Sequence, residues 1–535
     1  MHHHLLLILV LLFVIFLLIM LGQRLKISYP IFLVLAGLGI SFVPGIPRVE
    51  IAPDLIFLIF LPPLLYEAAW YTSWNDFWKW RRPIAMLAFG LVFFTSVIVA
   101  FASTALIPGF TLALGFLLGG IISPPDAVAA TSVLKHVSVP QRLTAVLEGE
   151  SLINDASSLI VFRFALAAVL TGQFAMGQAV GQFFLVAGMG IVVGLAMAHI
   201  LYAVHRFLPT TPSIDASLTL MAPYFMYIGA EQFHFSGVMA VVSGGLFLSW
   251  RSNDILPYSS RLQAWGMWTT VIFVLNGLVF ILIGLELPSI IDNLGDYSLS
   301  QAIGYGMVIS VLTIAIRLLW VFPIAYVPIW FGNRKRMDRV NPTWKLPLIA
   351  GWAGMRGVVS LASALSIPLV LDNGSVFPLR NLILFITFIV ILMTLVFQGL
   401  TLPLLIRWVK IKDTEDFAPA EEQETAITLR LMQAALKRLN ENYAEAAREN
   451  ELVGFLQHQL ENDIALADQR LASLECDETE REEIALYNHV VLDLCAVQRK
   501  ELYRLRAERL FSDEEIRKQE MQLDFDEAKI TGTHH

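Results

Sequence analysis

Gly149-Glu150-Ser151-Leu152-Ile153-Asn154-Asp155-Ala156-Ser157-Ser158-Leu159-Ile160-Val161-Phe162 places two carboxylates and a carboxamide within six residues, at the head of a long apolar run. The run reads as a membrane helix. A carboxylate in hydrocarbon is expensive, roughly 2.5–3.5 kcal/mol on insertion scales. Glu150, Asn154 and Asp155 are therefore expected to line a wet cavity and to handle an ion or a proton. The alternative is a charged loop just outside the membrane.

The composition around this stretch is that of an integral membrane protein. The chain has 535 residues, is 56% hydrophobic and only 15% charged, against about 25% charged in a soluble domain; its mean hydropathy is +0.65. Charge is unevenly divided. Residues 1–412 carry 23 Lys+Arg and 16 Asp+Glu, a balance of +7; residues 413–535 carry 14 and 29, a balance of −15. A membrane domain over 1–412 and an acidic, helical soluble tail over 413–535 follow. The basic excess of the first part sits in its loops and does not indicate nucleic-acid binding. Both cysteines, Cys476 and Cys495, lie in the tail, so a reduced cytosolic tail is the simplest expectation. The apolar stretch from Leu5 to Leu21 is followed by Arg24 and Lys26 with no small-residue cleavage site. It is expected to be a first transmembrane helix and not a removable signal peptide. The terminal His residues, His2-His3-His4 and His534-His535, read as tails and not as metal ligands.

A span needs about 20 apolar residues. Thirteen candidates stand at 5–22, 30–46, 54–71, 83–107, 110–133, 144–170, 177–205, 215–233, 236–250, 263–291, 298–330, 343–371 and 379–408. With the N-terminus outside, the inside loops and the segment after the last span hold 18 basic residues: Arg24, Lys26, Lys79, Arg81, Arg82, Lys135, Arg142, Arg206, Arg251, Arg261, Arg334, Lys335, Arg336, Arg339, Lys345, Arg407, Lys410 and Lys412. The outside loops hold two, Arg48 and Arg380. That bias supports the count and orientation and places the tail in the cytoplasm. Arg163, Arg317 and Arg356 remain inside spans.

Three further segments put ionisable groups at membrane depth: Leu61-Pro62-Pro63-Leu64-Leu65-Tyr66-Glu67, Ser123-Pro124-Pro125-Asp126-Ala127 and Gly351-Trp352-Ala353-Gly354-Met355-Arg356-Gly357. Proline removes an intrahelical hydrogen bond and clashes with the preceding turn. In a membrane the freed carbonyls must find protein, water or an ion. Span 5 is expected to break beside Asp126, and three glycines weaken span 12 beside Arg356. Two interrupted helices at comparable positions in two halves of a chain point to a transporter site built from inverted repeats. Ser151 and Asp155, at i and i+4, share one face of span 6; Glu150 and Asn154 share the adjacent one. Ser151, Asn154 and Asp155, with Asp126 and the Pro125 carbonyl from the crossing helix, offer hard oxygens, which suit a hard cation better than a soft transition metal. Burial raises a carboxylate pKa and a bound cation lowers it, so a proton and a cation would compete for Asp155. A buried Arg356 needs a partner, and Glu150 is the candidate.

These segments resemble the bacterial sodium/proton antiporters of the monovalent cation:proton antiporter-1 family, relatives of the animal sodium/hydrogen exchangers. The likeness rests on the Leu-Pro-Pro…Glu67 segment, Pro-Pro-Asp126-Ala-Val-Ala, Gly-Glu150-Ser-Leu-Ile-Asn154-Asp155, Ser236-Gly237-Val238-Met239-Ala240-Val241 and Gly-Met-Arg356-Gly-Val-Val-Ser. It implies an all-α polytopic homodimer of about thirteen helices with inverted repeats, including two interrupted crossing helices. It implies Asp155, Asp126 and Ser151 as cation ligands, with Asn154 orienting them, Glu67 near the ion cavity, and Glu150 with Arg356 as a buried ion pair. The Asn-Asp form implies electroneutral exchange. The expectation is thus a secondary antiporter of a bacterial inner membrane, Na⁺ or Li⁺ out for H⁺ in. Its partners are monovalent cations, protons and membrane lipid; it has no cofactor and no enzymatic activity. K⁺/H⁺ exchange is the nearest alternative, and a gated cation channel the alternative of a different class.

Other residues are read more plainly. Arg163, two turns beyond Asp155, either pairs with a core carboxylate or reaches the interface. Arg317 reads as a structural or lipid-head contact. Trp70, Tyr71, Trp74, Trp78 and Trp80 suit an interfacial belt. The tail reads as three or four amphipathic helices with breaks near 475–479 and 511–514, the latter capped by Ser512.

Overall fold

The computed structural model describes residues 2–25, 27–43, 53–134, 139–172, 176–292, 294, 297–331, 344–371, 374–409, 420–475, 478–508 and 513–531. Lys26, Arg48, Lys135, Arg334, Lys335, Arg336, Arg339, Lys410, Lys412, Cys476, Ser512 and the C-terminal His residues lie outside them. The architecture is all-helical; the β structure among the described residues is one isolated bridge, Val370 to Val376. The chain divides into two compact units, Met1–Asp413 and Thr414–His535.

In the first unit helix occupies each of the thirteen expected segments. The helices are α1 His2–Arg24, α2 Tyr29–Ser41, α3 Pro53–Tyr71 and α4 Arg81–Leu106. Then come α5 Leu112–Ile122, α6 Ala127–Leu134, α7 Gln141–Thr171, α8 Met176–Phe207 and α9 Pro212–Glu231. Next are α10 Gly237–Trp250, α11 Tyr258–Leu285, α12 Leu299–Phe331, α13 Lys345–Trp352, α14 Val358–Leu365 and α15 Arg380–Val409; the short helices Trp74–Lys79, Ser252–Ile255 and Leu287–Asp292 stand between them. By length and apolarity seven stretches are fit to cross a membrane among the described residues, and Ile8–Arg24, Tyr29–Ser41 and Gly237–Trp250 are shorter apolar helices.

Local chemistry sets the boundaries that matter. Thr111 caps α5, its side chain accepting from the Leu114 amide. The helix stops at Ser123 because Pro124 and Pro125 have no N–H to continue the ladder. Asp126 then caps α6, accepting the Val128 N–H at 2.8 Å. The α13 ladder ends at Ala353, and α14 restarts after Gly357 in an extended conformation. Spans 5 and 12 are therefore two half-helices each. By contrast, α3 runs continuously through Pro62 and Pro63.

Backbone approach replaces hydrophobic drive inside a bilayer. A Cβ on Gly115 would sit 2.6 Å from the Ala100 carbonyl oxygen, and one on Gly119 2.7 Å from that of Ser96. Four residues apart, these glycines let α5 lie directly on α4. On its other side α5 packs against α7, which also contacts α14. The break in α5–α6 is thereby held beside Asp155.

In the second unit, Ala420–Asn442 pairs with Glu451–Glu475, and Glu478–Glu508 with Asp513–Thr531. Cys495 is buried there, and Arg499 bridges to Asp524 at 2.8 Å and Glu527 at 2.5 Å.

Candidate ion-binding site

The two helix breaks cross and are bonded to each other. The Asp126 N–H donates to the Met355 carbonyl at 2.7 Å. Besides Val128, the backbone N–H groups of Ala129 and Val358 lie near the Asp126 carboxylate. One carboxylate thus faces the N-termini of both α6 and α14, where helix dipoles favour an anion. The approach is so close that a Cβ on Gly357 would collide with Asp126 Oδ2. Only glycine fits that position.

Arg356 does the complementary work at the opposite ends. Its guanidinium donates to the carbonyls of Ile122 at 2.9 Å and Ser123 at 3.4 Å, at the end of α5, and to Gly354 beyond α13. Its own N–H donates to Thr394 Oγ1 on α15 at 3.1 Å. The carbonyls freed by the breaks therefore meet a cation, and the freed amides meet an anion.

From α7 two side chains reach this crossing. Asn154 Nδ2 donates to the Pro125 carbonyl at 2.9 Å, and Ser151 Oγ accepts the Ala127 N–H at 3.2 Å. Asp155, 8% exposed, lies close enough to Asp126 for their charges to interact. Asp126, Ser151 and Glu67 keep partial exposure, whereas Glu150, Asn154 and Arg356 have essentially none. Oxygen groups from three directions therefore gather around a carboxylate pair at the edge of the packed interior. Asn154 Oδ1 is buried there without a hydrogen-bond partner.

The chain has counterparts among known proteins. The family model for the transmembrane sodium/hydrogen exchanger matches residues 8–408. The chain belongs to the sodium/hydrogen exchanger family. With the family comes the activity class, secondary active exchange of a cation against protons. Among its relatives is a sodium, potassium, lithium and rubidium/H⁺ antiporter of Bacillus pumilus, 33% identical over 78% of this chain and 64% of the relative's length. An uncharacterized Na⁺/H⁺ exchanger of Mycobacterium bovis is 32% identical over 96% of this chain and 93% of its own. The structure of the sodium proton antiporter MjNhaP1 from Methanocaldococcus jannaschii superposes with TM-score 0.60 at 21% identity. That match covers 73% of this chain and 97% of that one, a likeness of fold.

One expected pairing in the exchanger is corrected. Glu150 does not bond to Arg356; it is chelated by Arg317 of α12, Nη1 at 2.5 Å and Nη2 at 2.8 Å, with both side chains 1% exposed. Arg317 also donates from Nε to the Ala350 carbonyl of α13 at 3.2 Å. Arg356, occupied by the carbonyls of the breaks, interacts with Glu150 only through the field. The reason is geometric: the planar fork of Arg317 presents two parallel N–H groups to the carboxylate. Arg317, read as a lipid-head or structural contact, is thus the partner that sequence reasoning missed. Its signal was present, since it sits mid-helix on α12, far from either expected interface.

The remaining residues lie around this centre. Arg163 donates to both oxygens of Glu231, at 2.8 and 2.7 Å, and Glu231 also accepts the Gly237 N–H at 3.1 Å. Arg163 is thus paired, but with a partly exposed carboxylate at the end of α9 and not with one in the core, and it is itself 43% exposed. Tyr29 on α2 lies within electrostatic reach of both Asp126 and Glu67. Arg142 stacks over Trp80 at 4.1 Å and Arg81 over Trp78 at 4.6 Å, adding cation–π contacts to the aromatic cluster.

Proposed function

We propose that this exchanger carries Na⁺ out of a bacterial cell against H⁺, one for one, with Asp155 as the group on which ion and proton compete. The observation that carries this is a charge balance. Around the crossing, Glu150 and Asp126 are offset by Arg317 and Arg356, each hydrogen-bonded in place. Those four charges sum to zero. With Glu67 on α3 counted to the approach and not to the crossing, Asp155 is left with one negative charge that either one proton or one monovalent cation neutralises. A site that is neutral in both loaded states crosses the membrane at the same electrostatic cost with either load, and exchange is then electroneutral.

The residues divide accordingly. Asp155 binds proton or cation; Ser151, Asn154 Oδ1 and Asp126 offer further oxygens. The Pro125 carbonyl is engaged by Asn154 Nδ2, so it serves first to orient that amide. Asn154, unlike a second carboxylate, orients without adding charge. Glu67 conditions the approach, and Glu150–Arg317 ties α7 to α12 and, through Ala350, to α13. Movement of the crossed half-helices together with α7 would expose the site alternately to the two sides. We further infer a homodimer in the inner membrane, the N-terminus outside and the acidic tail in the cytoplasm. The loop charges support that orientation.

K⁺ is the second reading, because the Bacillus pumilus relative is named for sodium, potassium, lithium and rubidium alike, and hard oxygens bind all of them. The test uses proteoliposomes with an acid interior and a fluorescent pH dye. Addition of Na⁺ should release protons, at a rate unaffected by clamping the voltage and abolished in Asp155→Asn. Proton release by K⁺ alone would move the assignment to K⁺. Cation flux without proton movement would refute exchange altogether and favour a channel.

A further inference from the structure

The N-terminus of α14 carries a second oxygen that the site described above does not use. Ser360, on the first turn of α14, is 1% exposed and its hydroxyl has no hydrogen-bond partner. A buried serine in a helix normally donates to the carbonyl four residues back; in this chain Ser363 does so to Val359 at 2.7 Å and Ser96 to Val92 at 2.8 Å. Ser360 has no such recourse, because four residues back is Arg356, in the break itself. Leaving a buried hydroxyl unmatched carries a desolvation penalty, so an unmatched hydroxyl at a functional centre calls for a ligand or water.

Its placement indicates which. Ser360 lies three residues beyond Gly357, whose missing side chain makes room for the Asp126 carboxylate. Side chains three apart stack on one helix face and lean toward the N-terminus. That direction takes Ser360 Oγ toward the end of α14 at which the Asp126 carboxylate sits against Gly357. The same α14 packs against α7, the helix of Asp155. Asn154, bonded through Nδ2 to the Pro125 carbonyl next to Asp126, likewise carries a buried oxygen without a partner, Oδ1.

We propose that Ser360 supplies a further oxygen to the transported monovalent cation, and is a specificity-determining residue of the exchanger. This rests on the reading of Asp155 as the exchange site. A hydroxyl is a neutral ligand, so Ser360 adds coordination without upsetting the charge balance. A ligand held by a short half-helix discriminates by size, since α14 fixes how far the hydroxyl stands from Asp155.

The test compares Ser360→Ala, Ser360→Thr and Ser360→Cys in proteoliposomes, reading the half-saturating concentrations of Na⁺, Li⁺ and K⁺. Loss of one oxygen in Ser360→Ala should raise the Na⁺ value roughly three- to tenfold and change the Na⁺/Li⁺ ratio. Ser360→Thr, which keeps the hydroxyl, should restore both to within about twofold. A merely structural residue would lower the rate for all three ions alike and leave the ratios unmoved, and that result overturns the proposal, as does an unchanged Ser360→Ala. If Ser360→Ala does not insert as a monodisperse protein, Ser360→Cys, with a softer and larger atom, is read by the same ratios. The controls separate the two levels. Asp155→Asn retaining exchange defeats the underlying site; Asp155→Asn inactive with all Ser360 variants at wild-type ratios defeats Ser360 alone.

Discussion

Replacing Arg317 by Met should destabilise the membrane unit far more than its distance from Asp155 in sequence suggests. The Glu150 carboxylate is 1% exposed and receives two N–H groups from Arg317. Removing that fork leaves a buried charge without its partner, at a cost of about 3–5 kcal/mol. Spread over the unfolding entropy of the Met1–Asp413 unit, at roughly 2.1 cal/mol/K per residue, this is a fall in Tm of about 3–6 °C. The assay is fluorescence-detected size exclusion of detergent-solubilised protein after heating. The doubly apolar E150M/R317M should recover most of the loss, since well-packed apolar groups often replace a buried pair at little cost. The decisive quantity is the coupling in a double-mutant cycle. It should reach about 2–3 kcal/mol for positions 150 and 317 and stay below about 1 kcal/mol for 150 and 356. Equal or greater coupling between Glu150 and Arg356, or an Arg317→Met protein as heat-stable as wild type, would refute the assignment.

The other expectations are briefer. Gly357→Ala drives a methyl into Asp126 Oδ2, so exchange should vanish while the protein still inserts; normal transport would mean the crossing is looser than described. Asp155→Asn should insert normally and exchange nothing, read by the dye assay. Competition at Asp155 fixes the sign of the pH dependence: lowering pH should raise the half-saturating Na⁺ concentration at unchanged maximal rate, and a fall in maximal rate alone would speak against a shared site. Asp215 is fully buried and holds His205 at 2.8 Å and Ser260 at 2.6 Å, joining α8, α9 and α11. Asp215→Ala strips both hydrogen bonds and should cost about 1–3 kcal/mol in the same heating assay, with Ser260→Ala clearly milder; near-equal melting of Asp215→Ala and wild type would deny the cluster that weight.

The chemistry at the break in α5–α6 was legible because covalent structure dictates it. Two prolines cannot donate, whatever surrounds them, so Pro124-Pro125 announces freed carbonyls and Asp126 follows as the cap of the next helix. Spacing told as much about α7, where one helical turn separates Ser151 from Asp155. Partners across the bundle are a different kind of fact. Glu150 and Arg317 are 167 residues apart, and no periodicity links them. Electroneutrality demanded an arginine for Glu150, but three candidates lay inside spans, and charge alone does not choose among Arg163, Arg317 and Arg356. Choice required knowing who else competes for each guanidinium. Arg356 stands among the carbonyls of Ile122, Ser123 and Gly354 at the two breaks, and those nearer acceptors hold it. Arg163, two turns along α7, meets Glu231 first. Arg317 is held by one backbone carbonyl, that of Ala350, through Nε, and keeps both terminal Nη groups for the Glu150 carboxylate. The pairing was thus implicit in which helices break, once the breaks are seen to consume a cation. A general rule for such chains follows: assign the buried arginine beside a helix break to the break before assigning it to an acid.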